Sequence, residues 1–115
     1  MHSMILFLKR KDGTSVDEFY KYWEGVHGPL VKPWAERHGL TYKQIRMGAP
    51  TGPAEAVAGL QAYDGIAVFE FKDADTPAKA FSDPDFLEKV VPDQAVFLQP
   101  DASITIAGGA QTITS

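Results

Sequence analysis

The chain has 115 residues, 44% of them hydrophobic and 23% charged, proportions that fit one folded domain, spanning residues 1–115, and not a disordered chain. Its formal net charge of -4 argues against nucleic acid or an anionic membrane as partner, and the one basic triplet, Lys9-Arg10-Lys11, runs straight into Asp12 and reads as a solvated loop. The lack of cysteine excludes disulfides, thiol catalysis and Cys-ligated zinc and suits a cytoplasmic protein, while no apolar run approaches the ~18 residues of a membrane span and no signal-peptide pattern opens the chain.

Met4 to Lys9 is an apolar run of strand length, of the kind covered on both faces. A turn at Lys11-Asp12-Gly13-Thr14 leads to Ser15, a helix N-cap with Glu18 three residues on, so a helix starts at Val16. Phe19, Trp23 and His27 follow at intervals of four and share one helix face, which is aromatic and expected to be buried. That aims a titratable imidazole at an apolar interior, at the point where Gly28-Pro29 interrupts the helix. Pro29 either opens a second segment at its first position or kinks the first one. The second segment, Leu30 to Arg37, stops at Gly39.

Leu40 to Met47 has strand character, and Gly48 to Pro53 breaks regular structure. Ala54 to Leu60 reads as a short helix and Tyr63-Asp64-Gly65 as a turn. Ile66 to Phe71 is a second strand apolar on both faces apart from Glu70. Helical spacing resumes near Pro77 and restarts at Asp83-Pro84, with Phe86, Leu87, Val90 and Val91 in phase. Ser103 to Ala107 is the fourth strand, and Gly108 to Ser115 is a tail of small residues in which Thr112 to Thr114 could pair. The order β-α-β-β-α-β predicts an α+β, ferredoxin-like antiparallel sheet with its helices on one face. Two strands apolar on both sides need a cover for the other face, and a second copy in a twofold dimer is the economical one.

The opening Ile5 to Lys11, the stretch Phe19-x-x-Tyr22-Trp23-x-x-x-His27-x-Pro29-Leu30, the Tyr63-Asp64-Gly65-Ile66-Ala67 turn and Phe81-Ser82-Asp83-Pro84 together resemble the EthD family, from about Met4 to about Ile106. The resemblance implies a dimeric α+β barrel, in which two ferredoxin-like sheets join face to face and each half keeps a pocket. It also implies cofactor-free dehydration, cyclisation or decarboxylation of aromatic polyketides, a lyase-type activity. The stretch from Gly48 to Gly65, about 18 residues, is longer than the family pattern needs and could act as a lid.

Within that frame His27 is the expected proton shuttle. Asp64 either orients it or serves its own Asp-Gly turn. Tyr42, Gln44 and Arg46 share one strand face and could hold phenol or carboxylate groups, with Arg46 as the anion partner. Tyr63 could line the pocket mouth, Trp23 could stack on a planar substrate, and Glu70 either faces a barrel interior with a raised pKa or reaches solvent. His38 reads as a surface imidazole at a helix C-terminus and His2 as part of a frayed end. The three histidines lack metal-ligand spacing. Two other readings stand beside the enzyme: a hydrophobic-ligand-binding dimer, and a cofactor-free or haem monooxygenase that would use His27 as its axial ligand.

Overall fold

The structure is a computed structural model and describes residues 1–114; Ser115, the end of the expected tail, lies outside the described residues. Four strands, β1 (His2–Leu8), β2 (Thr41–Arg46), β3 (Gly65–Phe71) and β4 (Ile104–Gly109), form one antiparallel sheet in the order β2-β3-β1-β4. Helices α1 (Val16–Tyr22) and α2 (Gly28–Arg37) cross between β1 and β2. Helices α4 (Thr76–Ala80) and α5 (Val91–Phe97) cross between β3 and β4, and α3 (Ala54–Leu60) lies in the β2–β3 connection. The fold is the ferredoxin-like α+β arrangement expected from the element order.

β1 begins two residues earlier than the apolar run suggests. His2 pairs with Phe71 and stacks on its ring at 5.6 Å, so it belongs to the sheet and is not frayed. Ser15 caps α1 by accepting the Glu18 N–H at 3.1 Å.

Strand alternation sorts the sheet into two faces. Met4, Leu6 and Leu8 stand opposite Phe69, Ala67 and Gly65 and look toward the helices. There they join two apolar clusters, one around Val31, Trp34 and Phe69, the other around Phe19, Trp23 and Phe97. Each such aromatic or branched side chain, fully buried, contributes about 1.5–3 kcal/mol. Ile5, Phe7, Ile66, Val68, Ile45 and Ile106 look the other way, onto a face that no helix among the described residues covers. α3 forms as expected but buries none of its residues.

Candidate active site

The helix that starts at Ser15 does not break at Gly28-Pro29. It widens. Trp23–His27 form a π turn in which the Gly28 N–H donates to the Trp23 carbonyl, and α2 continues with Pro29 in its first turn. Proline has no N–H for the Gly25 carbonyl, and its ring crowds that carbonyl, so the looser spacing relieves both problems. The same device recurs in the second crossover: Phe86–Val90 form a π turn, the Val91 N–H donates to the Phe86 carbonyl, and Pro92 follows. Gln44 secures the first turn by donating from Nε2 to the Trp23 carbonyl at 2.9 Å. Gly28 leaves room for that amide, since a Cβ there would come within 3.2 Å of Nε2.

The two π turns place a histidine and a carboxylate together. His27, 5% exposed, hydrogen-bonds through Nδ1 to Asp93 Oδ2 at 2.7 Å, and Tyr22 donates its hydroxyl to Asp93 Oδ1 at 2.5 Å. A carboxylate accepts, so the Nδ1 proton is assigned to the bond with Asp93 and the lone pair to Nε2. Phe97, one helical turn beyond Asp93, lies 4.7 Å from the imidazole centroid. Burial pushes the His27 pKa below the ordinary imidazole value and outweighs the opposing pull of Asp93. The Asp93 hydrogen bond, with burial and charge repulsion behind it, holds the Tyr22 phenol above its ordinary value. At neutral pH the pair is therefore a neutral imidazole oriented by a carboxylate, the arrangement of a general base.

His27 borders a cavity of about 60 Å³ between sheet and helices, whose polar lining side chains are His27, Trp23, Tyr42 and Gln94 among apolar residues. Of the residues singled out in the sequence, His27, Trp23 and Tyr42 meet here. Trp23 is fully buried, stacked on Phe19 at 5.4 Å, and it packs against Gly65, so its ring is part of the core. Tyr42 stacks on Phe69 at 4.8 Å, its hydroxyl accepts from Gln44 Nε2 at 2.9 Å, and burial raises its pKa. Tyr42 also borders a larger, open groove of about 730 Å³ on the outer side of α2, lined by Gly28, Lys32, Ala35, Leu40 and Gln44 among others.

The other expected site residues stand elsewhere. Asp64 does not touch His27: its carboxylate takes the Arg10 guanidinium at 2.7 Å and the Arg10 backbone N–H at 3.0 Å, and its carbonyl takes the Tyr20 hydroxyl. It pins the β3 turn to the loop after β1, and the orienting carboxylate is Asp93 instead. Arg46 shares the helix-facing side of β2 with Tyr42 and Gln44. Its guanidinium, however, is spent on both oxygens of Glu24 at 2.7 Å, above the Tyr20 ring. Tyr63 packs edge-on against Phe7 on the uncovered sheet face. Glu70 lies on that face too, paired with Lys43 at 2.8 Å. His38 caps α2 and reaches Asp83 at 2.7 Å. No residue of the 48–64 stretch lines the cavity, so α3 is not its lid.

The sequence alone does not single out Asp93 or Tyr22. One signal was present: Asp93 stands four residues before Phe97 and three after Val90, an acid on an otherwise apolar helix face.

The EthD domain family matches residues 11–101. The chain is 30% identical over 106 residues to the conidial pigment biosynthesis dehydratase EthD of Metarhizium robertsii, covering 86% of this chain and 75% of that protein. It is equally similar to the dehydratase aurZ of Gibberella zeae, of which it covers 70%. The crystal structure of an EthD family protein from Bacillus halodurans superposes with a TM-score of 0.70 at 16% identity, over 96% of this chain and 99% of that one. No helix among the described residues is long and apolar enough to cross a membrane.

Proposed function

We infer that this chain, which belongs to the EthD family, is a dehydratase that removes water from a β-hydroxy ketone on an aromatic polyketide, with His27 as its proton shuttle. The observation that carries the reading is the His27–Asp93 pair: a neutral buried imidazole, lining a cavity, whose Nδ1 is spent on a carboxylate and whose Nε2 has no hydrogen-bond partner among the described residues. Relatives named as dehydratases support the reaction class.

The chemistry needs no co-reactant. Nε2 takes the proton from the carbon between ketone and hydroxyl-bearing carbon. The C–H electrons move into an enolate. The enolate carbonyl re-forms, the C–O bond to the β-hydroxyl breaks, and the imidazolium returns its proton to the departing oxygen as water. Asp93 fixes the tautomer and steadies the transient positive charge, and Tyr22 fixes Asp93. The cavity of about 60 Å³ admits only the reacting end of such a molecule. The ring system belongs in the outer groove of about 730 Å³, with Tyr42 as the partition between the two.

The compound 3-hydroxy-1-tetralone tests this, because loss of water yields fluorescent 1-naphthol. Wild-type protein is expected to accelerate the elimination, and His27→Gln to lose on the order of 10²-fold or more of that rate. A wild-type protein without effect, or full turnover by the variant, overturns the assignment. The functional unit in this reading is a homodimer joined through the uncovered sheet face, with the small molecule bound in each half.

A further inference from the structure

Trp23 carries a feature that packing does not explain. Its indole N–H is the one buried side-chain polar atom without a hydrogen-bond partner among the described residues, on a side chain with no exposed surface. An orphaned donor of this kind costs about 1–3 kcal/mol, and a phenylalanine would fill much of the same space without that cost. The other tryptophan, Trp34, shows the ordinary solution: its N–H donates to the Ala80 carbonyl at 2.8 Å.

The surroundings of the Trp23 N–H point to a guest. Trp23 lines the same cavity as His27 and Tyr42. The Tyr42 hydroxyl already accepts from Gln44, and Trp23 faces it closely enough to oppose the rise in its pKa without reaching hydrogen-bond geometry. Gln44 takes one lone pair of that hydroxyl, and the hydroxyl's own proton has no acceptor among the described residues. Trp23, Tyr42, His27 and Gln94 thus line one small space otherwise walled by apolar side chains. A cavity of about 60 Å³ is far below the roughly 300–1,000 Å³ of sites that enclose a whole ligand, so it takes only a small end of such a molecule.

We propose that the indole N–H of Trp23, together with the Tyr42 hydroxyl, binds the carbonyl oxygen of the substrate, so that Trp23 is an oxygen-binding donor and not only core. The proposal rests on the dehydratase reading for the identity of the guest. Two donors on that oxygen favour the enolate, where negative charge gathers, over the resting ketone. They also make the site select ketones over hydrocarbons of the same shape, since only an oxygen satisfies the buried donor.

The two indole N–H groups give two resolved signals in a ¹H–¹⁵N spectrum, one from Trp23 and one from Trp34 as an internal control. The probes are 1-tetralone, which has the ketone but no hydroxyl to lose, and tetralin, which keeps the rings and lacks the oxygen. With 1-tetralone the Trp23 proton is expected to move downfield while Trp34 stays in place, and tetralin leaves both unmoved. Trp23→Phe is expected to bind 1-tetralone about tenfold more weakly and to lose the preference for it over tetralin. A Trp23 signal that stays put up to the solubility of 1-tetralone, or that moves equally with tetralin, overturns the proposal even if the variant fails to fold. The same titration on His27→Gln separates the two ideas. A Trp23 shift that persists beside undiminished turnover leaves the oxygen site standing and removes His27 as the shuttle.

Discussion

At His27 two forces oppose each other, and the winner sets a pH dependence. Asp93 favours the charged imidazolium, while burial against Phe97 and the cavity wall disfavours it more strongly, so the native pKa lies below the ordinary value of about 6.5. Between that lowered pKa and about 6.5 the unfolded chain binds a proton that the native chain refuses. Acidification through this window therefore favours unfolding, and above it the group contributes no further slope. Urea midpoints are expected to fall more steeply for wild type than for His27→Gln between pH 7.5 and pH 5.5; parallel curves would contradict the assigned direction. The imidazole itself was legible in the sequence because Phe19, Trp23 and His27 recur at intervals of four. Its partner was not, because Asp93 arrives from 66 residues away and only the packing of the two crossovers brings them together. Asp64 was the more visible carboxylate, but an Asp before a glycine serves its turn, and Arg10 claims the rest of it.

At the scale of elements, each half of the His27–Asp93 pair sits where a π turn meets an α-helix ahead of or just past a proline. Replacing Pro29 by Ala restores the N–H that an α-helical turn needs and removes the ring that crowds the Gly25 carbonyl. The turn is then free to tighten, the contact with Asp93 loosens, and the NMR-titrated pKa of His27 is expected to move from its native value. An unchanged titration would show that Gln44 alone maintains the wider turn. A second element-level constraint is Gly65, where β3 starts. A Cβ there would lie 2.9 Å from two atoms of the Trp23 ring and 3.3 Å from Phe19, both in the core. Gly65→Ala is expected to lose about 1–3 kcal/mol in chemical denaturation, as overpacked cores do; a neutral result would mean that the indole has room to retreat. Strand and helix order could be read from apolar runs, the Ser15 cap and the Gly and Pro positions. The π turns could not, because over five residues a spacing of 3.6 per turn and a slightly wider one produce nearly the same pattern of apolar positions.

At the scale of the whole molecule, the sheet is half clothed. Helices cover one face, and the other presents Ile5, Phe7, Ile66, Val68 and Ile106 with a Lys43–Glu70 pair at its margin. Apolar area of this extent is what association through the face would remove from water. Sedimentation of the wild type is expected to give a dimer, and Ile106→Glu, which sets a charge opposite Ile5 on the exposed side of the sheet, to give a folded monomer. A wild type that sediments as a monomer at micromolar concentration removes the homodimer from the proposed function. The widened turns also matter for comparing this chain with its relatives. Each spends one residue more than a regular helix of the same rise, so the geometry of the His27–Asp93 pair is written partly in spacing and not only in residue identity. An alignment that forbids gaps inside helices will pair His27 with the wrong position in any relative lacking the extra residue, and will report as substituted a histidine that has merely moved by one place.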